Sequence, residues 1–112
     1  MIPSSRKVGK SLFKSLMEKG KSFYSESFSA RVFLSGTSEL ARFSVVVAKK
    51  LEKSAVKRNQ IKRRTYSLLR PHLATAKIGS LCVFFIKKKI GTKSLPALRI
   101  EIETVLRKAK IL

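Results

Sequence analysis

Eight cations fall within sixteen positions of this chain: Lys49, Lys50, Lys53, Lys57, Arg58, Lys62, Arg63 and Arg64. Glu52 is the one acid among them, so ion pairing within the run cannot neutralise it. The stretch Arg58-Asn59-Gln60-Ile61-Lys62-Arg63-Arg64 sets amides, which both donate and accept hydrogen bonds, beside fixed charge. Charge at this density on a rigid element neutralises phosphates and releases their counterions, while Asn59 is suited to a sugar, a base edge or a hydrated metal. This is the chemistry of recognition. Parts for bond-breaking are scarce: there are six carboxylates, one His and one Cys, with no GxxxxGK phosphate loop and no HExxH. The lone Cys82, in SLCVFFI, excludes an internal disulfide and reads as a small buried hydrophobe. His72 has no Cys or His companion at metal-ligand spacing.

The frame that holds these residues is one domain over residues 1–112, with residues 1–8 expected to be mobile. An apolar fraction of 44% supports a core despite a net charge of +20. Such an excess repels itself and calls for a polyanionic partner, nucleic acid first and an anionic membrane surface second. No apolar run approaches the roughly 20 residues that cross a bilayer, and the N-terminus lacks a signal-peptide pattern, so a cytoplasmic location is expected.

Periodicity predicts an α-β-β-α-β-α order in a two-layer α/β (α+β) fold with a small sheet. Residues 10–19 read as a short helix in which Leu12 and Leu16 form one i,i+4 pair and Phe13 and Met17 another, rotated by about 100°. Gly20 is a plausible stop. Residues 27–34 alternate, with Phe28, Ala30, Val32 and Leu34 on the core face and Ser29, Arg31 and Phe33 on the other. Residues 40–48 read as a second, central strand, and the short connection predicts a β-hairpin between the two. Ser54 is the expected N-cap of a long helix that Pro71 ends or kinks near Arg70. On that helix Ile61, Thr65, Leu68, Leu69 and His72 share one side, with Asn59, Arg63 and Arg70 nearly opposite. Residues 80–86 form a third, apolar strand followed by Lys87-Lys88-Lys89. Pro96 opens a last amphipathic helix carrying Leu98, Ile102, Val105, Leu106 and Ala109, in which Glu103 is placed to pair with Arg107.

The segment FSVVVAKKLEKSAVKRNQIKRR resembles the protein component of bacterial ribonuclease P, whose pattern runs strand, Lys-Lys, short loop, Arg-Asn-Arg, Ile, Lys-Arg. The opening is similar too: a basic lead, a helix with an aromatic residue, Gly, then a strand. Together the two blocks cover roughly residues 1–70. The resemblance implies a left-handed βαβ crossover and a partner in the catalytic ribonuclease P RNA. It further implies precursor tRNA as substrate and Mg²⁺ held mainly by the RNA, which performs the hydrolysis that releases the 5′ leader. Position by position it assigns RNA binding to Lys49, Lys50, Arg58, Asn59, Lys62, Arg63 and Arg64. Gln60 departs from the family's second Arg, and the loop before the helix is one residue longer. A cleft for the leader is implied at Phe13, with Met17 and Arg31 where further aromatics are common.

Other readings remain open at this point. A basic ribosomal protein would bind ribosomal RNA and leave tRNA maturation untouched. A membrane-surface module needs an apolar face beside its cations, and the stripes here read better as core. A helix-turn-helix DNA reader is normally all-α, against three strand signals. No membrane or DNA partner is therefore expected.

Overall fold

The computed structural model describes residues 4–87 and 94–112. The helices are α1 (Lys10–Lys19), α2 (Ala55–Leu69) and α3 (Leu95–Lys108), and the strands are β1 (Lys21–Tyr24), β2 (Phe28–Leu34), β3 (Arg42–Val46) and β4 (Ser80–Ile86). They form one mixed sheet in the order β1-β2-β4-β3. β4 is antiparallel to β2 and parallel to β3, so β3, α2 and β4 make up the βαβ crossover. The fold class is the expected one.

Several details differ from the sequence reading, among them β3, expected to be central and found at the sheet edge. β1 is an additional strand, paired antiparallel to β2. It has four residues and only Phe23 is half-buried, too little for an alternation to register. The expected hairpin does not exist, because β4 lies between β2 and β3. The chain from β2 to β3 instead crosses the entry of β4, where Ser35 N–H and Oγ both donate to the Gly79 carbonyl and Gly79 N–H donates to Glu39 O at 2.7 Å. Gly79 has φ +83°, and a Cβ there would stand 2.8 Å from Thr37 O, so the crossing depends on glycine. The layering differs too. α2 and α3 cover one face while α1 covers part of the other, giving the sheet a helix on each side there. Last, residues 4–8 are pinned rather than loose. Arg6 donates to the carbonyls of Ala41 and Leu73, Val8 N–H donates to Ser44 Oγ, and Lys7 Nζ lies 4.9 Å from the Tyr66 ring centroid. Residues 1–3, and Lys88 and Lys89 of the lysine run, lie outside the described residues.

The main core lies between the sheet and α2 and α3. It holds Phe28, Phe43 and Phe84 fully buried, with Phe28 edge-on to Phe84 at 5.7 Å. Cys82 is buried there, and burial pushes its thiol pKa up, so it stays protonated and unreactive. Ser54 Oγ caps α2 as expected, accepting from Lys57 N–H, and Ser94 Oγ caps α3 by accepting from Ala97 N–H. α2 stops at Leu69 and tightens into a 3-10 turn at Arg70–His72, because Pro71 has no N–H to continue the ladder. Glu103 pairs with His72 at 3.3 Å rather than with Arg107, tying the end of α2 to α3. Among the described residues no helix is long and apolar enough to cross a membrane.

Candidate nucleic-acid interface

α2 buries Thr65, Tyr66 and Leu69 against the sheet, and this fixes what its other side presents. Asn59, Arg63 and Arg70 are exposed, as the helical spacing requires, and Lys62 and Arg64 are half-buried. Register is held by Tyr66, whose hydroxyl accepts from Val45 N–H at 3.0 Å. That N–H is on the free side of the edge strand β3 and has no neighbouring strand to receive it. The helix bearing the cations is thus bolted to the sheet near its C-terminal end.

Lys49 and Lys50 occupy the exposed turn that leaves β3, closed by Leu51 N–H and Glu52 N–H donating to Ala48 O. Arg58 is not a free cation of this face. Its Nη1 donates to the carbonyls of Glu52 at 2.8 Å and Lys53 at 2.9 Å, and it is half-buried. One guanidinium therefore clamps the loop that carries Lys49, Lys50 and Lys53 onto the first turn of α2. Sequence reasoning placed Arg58 among the RNA-binding cations and could not see this clamp, since a backbone carbonyl leaves no trace in residue types.

The opposite face of the sheet forms a partly open cleft under α1. Leu16 is fully buried with Leu81 and Val83, and half-buried Leu12, Phe13, Phe33, Val46 and Phe85 surround them. Phe13 meets Phe85 edge-on, with centroids 6.3 Å apart. Along β3 the same face continues through Ser44 and Val46 to exposed Ala48, small side chains that leave the floor low. Val46 is paired in register with Phe85, and Lys49 follows three residues later, a reach of at most about 10 Å. The aromatic floor and the lysine turn are neighbours.

The three expected cleft residues do not converge. Phe13 lies in the cleft, whereas Met17 sits on the outer side of α1, 42% exposed. Arg31 points from the cleft face to the end of α1. There Nη2 donates to Met17 O at 2.8 Å, Nε to Leu16 O at 3.4 Å and Nη1 to Ser22 Oγ at 2.8 Å. Met17 O is one of the carbonyls that a helix end leaves open, while Leu16 O also accepts from Gly20 N–H at 2.8 Å. Phe85 was missed as a cleft residue because SLCVFFI is apolar on both faces and carries no alternation to read. Phe33 was assigned to the correct face by alternation alone.

Comparison with known proteins gives a consistent result. Residues 4–110 match the Ribonuclease P family. A ribonuclease P protein component from Synechococcus sp. is 36% identical over 72 residues, 64% of this chain and 54% of that protein, so the alignment spans about half of that relative's length. The component from Pseudanabaena sp. is 27% identical over 100 residues, 89% of this chain and 86% of that protein. The solved structure of a mutant RNase P protein from Staphylococcus aureus superimposes with a TM-score of 0.82 at 22% identity, covering 96% of this chain and 91% of that one, and so shares the fold.

Proposed function

Because the chain belongs to the ribonuclease P protein family, we propose that it is the protein subunit of a ribonuclease P. In this reading it sits on the catalytic RNA through α2 and the Lys49-Lys50 turn, and promotes 5′ maturation of precursor tRNA by binding the leader in the cleft under α1. The observation that carries the reading is the pairing of two surfaces across one edge strand. One is the basic surface of α2 and the turn before it, where the side chains of Lys49, Lys50, Asn59, Lys62 and Arg63 have no hydrogen-bond or ion-pair partner among the described residues. The other is a half-buried aromatic floor beside it. Cations grip phosphates and flat apolar side chains stack on unpaired bases, which together suit a single strand leaving a folded RNA.

The proposal divides the labour between the two subunits. The chain supplies binding and orientation, and the RNA supplies the phosphodiester hydrolysis. Mg²⁺ belongs to the RNA side of this reading, as the family resemblance implies. Phe13 and Phe85 offer faces for leader bases, and Lys49 and Lys50 offer charge where the strand meets the RNA. Arg58 holds the lysine turn in place. Arg31 fixes the end of α1 and reaches the leader only by releasing the Met17 carbonyl, so its part is to shape the cleft.

The test is reconstitution. The protein alone should leave precursor tRNA intact. Added to its ribonuclease P RNA with Mg²⁺ at low salt, it should raise cleavage above that of the RNA alone. Cleavage by RNA-free protein, or no gain over RNA alone, would overturn the proposal. Sequencing the RNA that co-purifies separates it from a ribosomal RNA-binding role.

A further inference from the structure

At the far edge of the sheet from α2 lies a pocket of about 450 Å³ that the cleft does not include. Four exposed lysines rim it: Lys19 at the end of α1, Lys21 on β1, and Lys108 and Lys110 at the end of α3. Among the described residues none of the four side chains has an ion-pair or hydrogen-bond partner, and no acid lines the pocket. Half-buried Phe23 and Phe33 stand in its wall, and Phe33 also borders the cleft. The volume falls within the range of small-molecule sites, and a nucleotide needs an aromatic surface for its base and cations for its phosphate.

Helix electrostatics accounts for part of this cluster. Lys19 and Lys108 sit in the last turns of their helices, where a cation suits the dipole. It does not account for Lys21 or Lys110. Lys110 has φ +62°, the one left-handed non-glycine residue among those described. It follows α3 at the position where glycine usually closes a helix, and the closure is made around it: Ile111 N–H donates to Leu106 O and Lys110 N–H to Arg107 O. A lysine there strains a backbone that glycine would leave relaxed. Its side chain projects charge onto the pocket rim at that cost.

We propose that this lysine-rimmed pocket is a second single-strand site, binding a nucleotide of the precursor-tRNA leader beyond the segment held in the cleft; this rests on the function proposed above. Phe33, shared by both, marks where the strand passes from one to the other. Occupancy then depends on leader length and on charge, with no base code.

The experiment uses the holoenzyme and precursor tRNAs that differ only in leader length, with mature tRNA as control. Changing Lys21→Gln, Lys108→Gln and Lys110→Gln together should weaken binding of the long-leader substrate about tenfold and lower its salt slope by about two units, at roughly 0.7 per phosphate contact on a single strand. Short-leader and mature tRNA should bind as before. Lys110→Gly should raise the thermal unfolding midpoint and still weaken the long-leader complex, a combination that a purely structural role for Lys110 does not give. Equal losses on long and short leaders, or no loss on either, would overturn the pocket as a leader site. If the unaltered holoenzyme itself fails to prefer precursor over mature tRNA, the fault lies in the parent reading, and this proposal falls with it.

Discussion

Arg58 and Arg63 carry the same charge on the same helix, yet the structure gives them different work. Arg63 is exposed, with no side-chain partner among the described residues, whereas Arg58 holds two loop carbonyls. Arg63→Ala should weaken binding to the ribonuclease P RNA by about 1 to 3 kcal/mol and lower the salt slope by about one unit. Arg63→Lys should recover most of the loss if the contact is to phosphate. Arg58→Lys should recover much less, because one nitrogen, Nη1, reaches both carbonyls at the end of a longer and more rigid side chain than that of lysine. Asn59→Ala should weaken binding with the slope unchanged, since no charge is removed. Titrations at several salt concentrations check all four, and equal rescue by lysine at both arginines would show that the clamp is incidental.

At the scale of elements, α1 depends on how closely its end meets the sheet. A Cβ at Gly20 would stand 2.5 Å from Leu16 O and 2.9 Å from Val32 O, both backbone atoms. Gly20→Ala should therefore force the end of α1 off β2 and cost about 1 to 3 kcal/mol, in the range of overpacking, measured by chemical denaturation. Precursor-tRNA binding should fall with it, because Phe13 rides on the displaced helix. The sequence made Gly20 legible as a stop but not as a contact. The same limit runs through the fold. α2, β4 and α3 were readable because Ser54, Pro71 and Pro96 signal locally and their apolar stripes are long. β2 was readable by alternation. The false hairpin arose because a short link between strands usually joins neighbours, and nothing local to residues 27–48 announces that β4 will come between them. In the candidate interface, Phe13 and the cations of α2 were legible by type and spacing, whereas the roles of Arg31 and Arg58 rest on carbonyls supplied by tertiary structure.

The whole molecule carries +20 on 112 residues, and under the proposed function its largest opposing charge is the RNA it binds. Self-repulsion of this size lowers the stability of the compact state, and an anion that binds the folded form raises it by mass action. Sulfate or phosphate should raise the unfolding midpoint more than chloride at equal ionic strength, and Lys-to-Gln changes on α2 should shrink that difference. Equal effects of all three salts would mean that simple screening suffices.

The strand order has a further consequence for the history of each molecule. β2 and β3 are made early, but the strand that joins them, β4, lies at residues 80–86. A growing chain can zip β1 to β2 as soon as residue 34 is free, since that pairing is local. It cannot build the rest of the sheet until residue 86 has left the ribosome, and until then β2 and β3 expose open edges. Such edges are sticky, and non-local pairing is slow. During synthesis the safety of the nascent chain falls to its charge: a polypeptide this cationic repels its own copies before it has a fold to protect it.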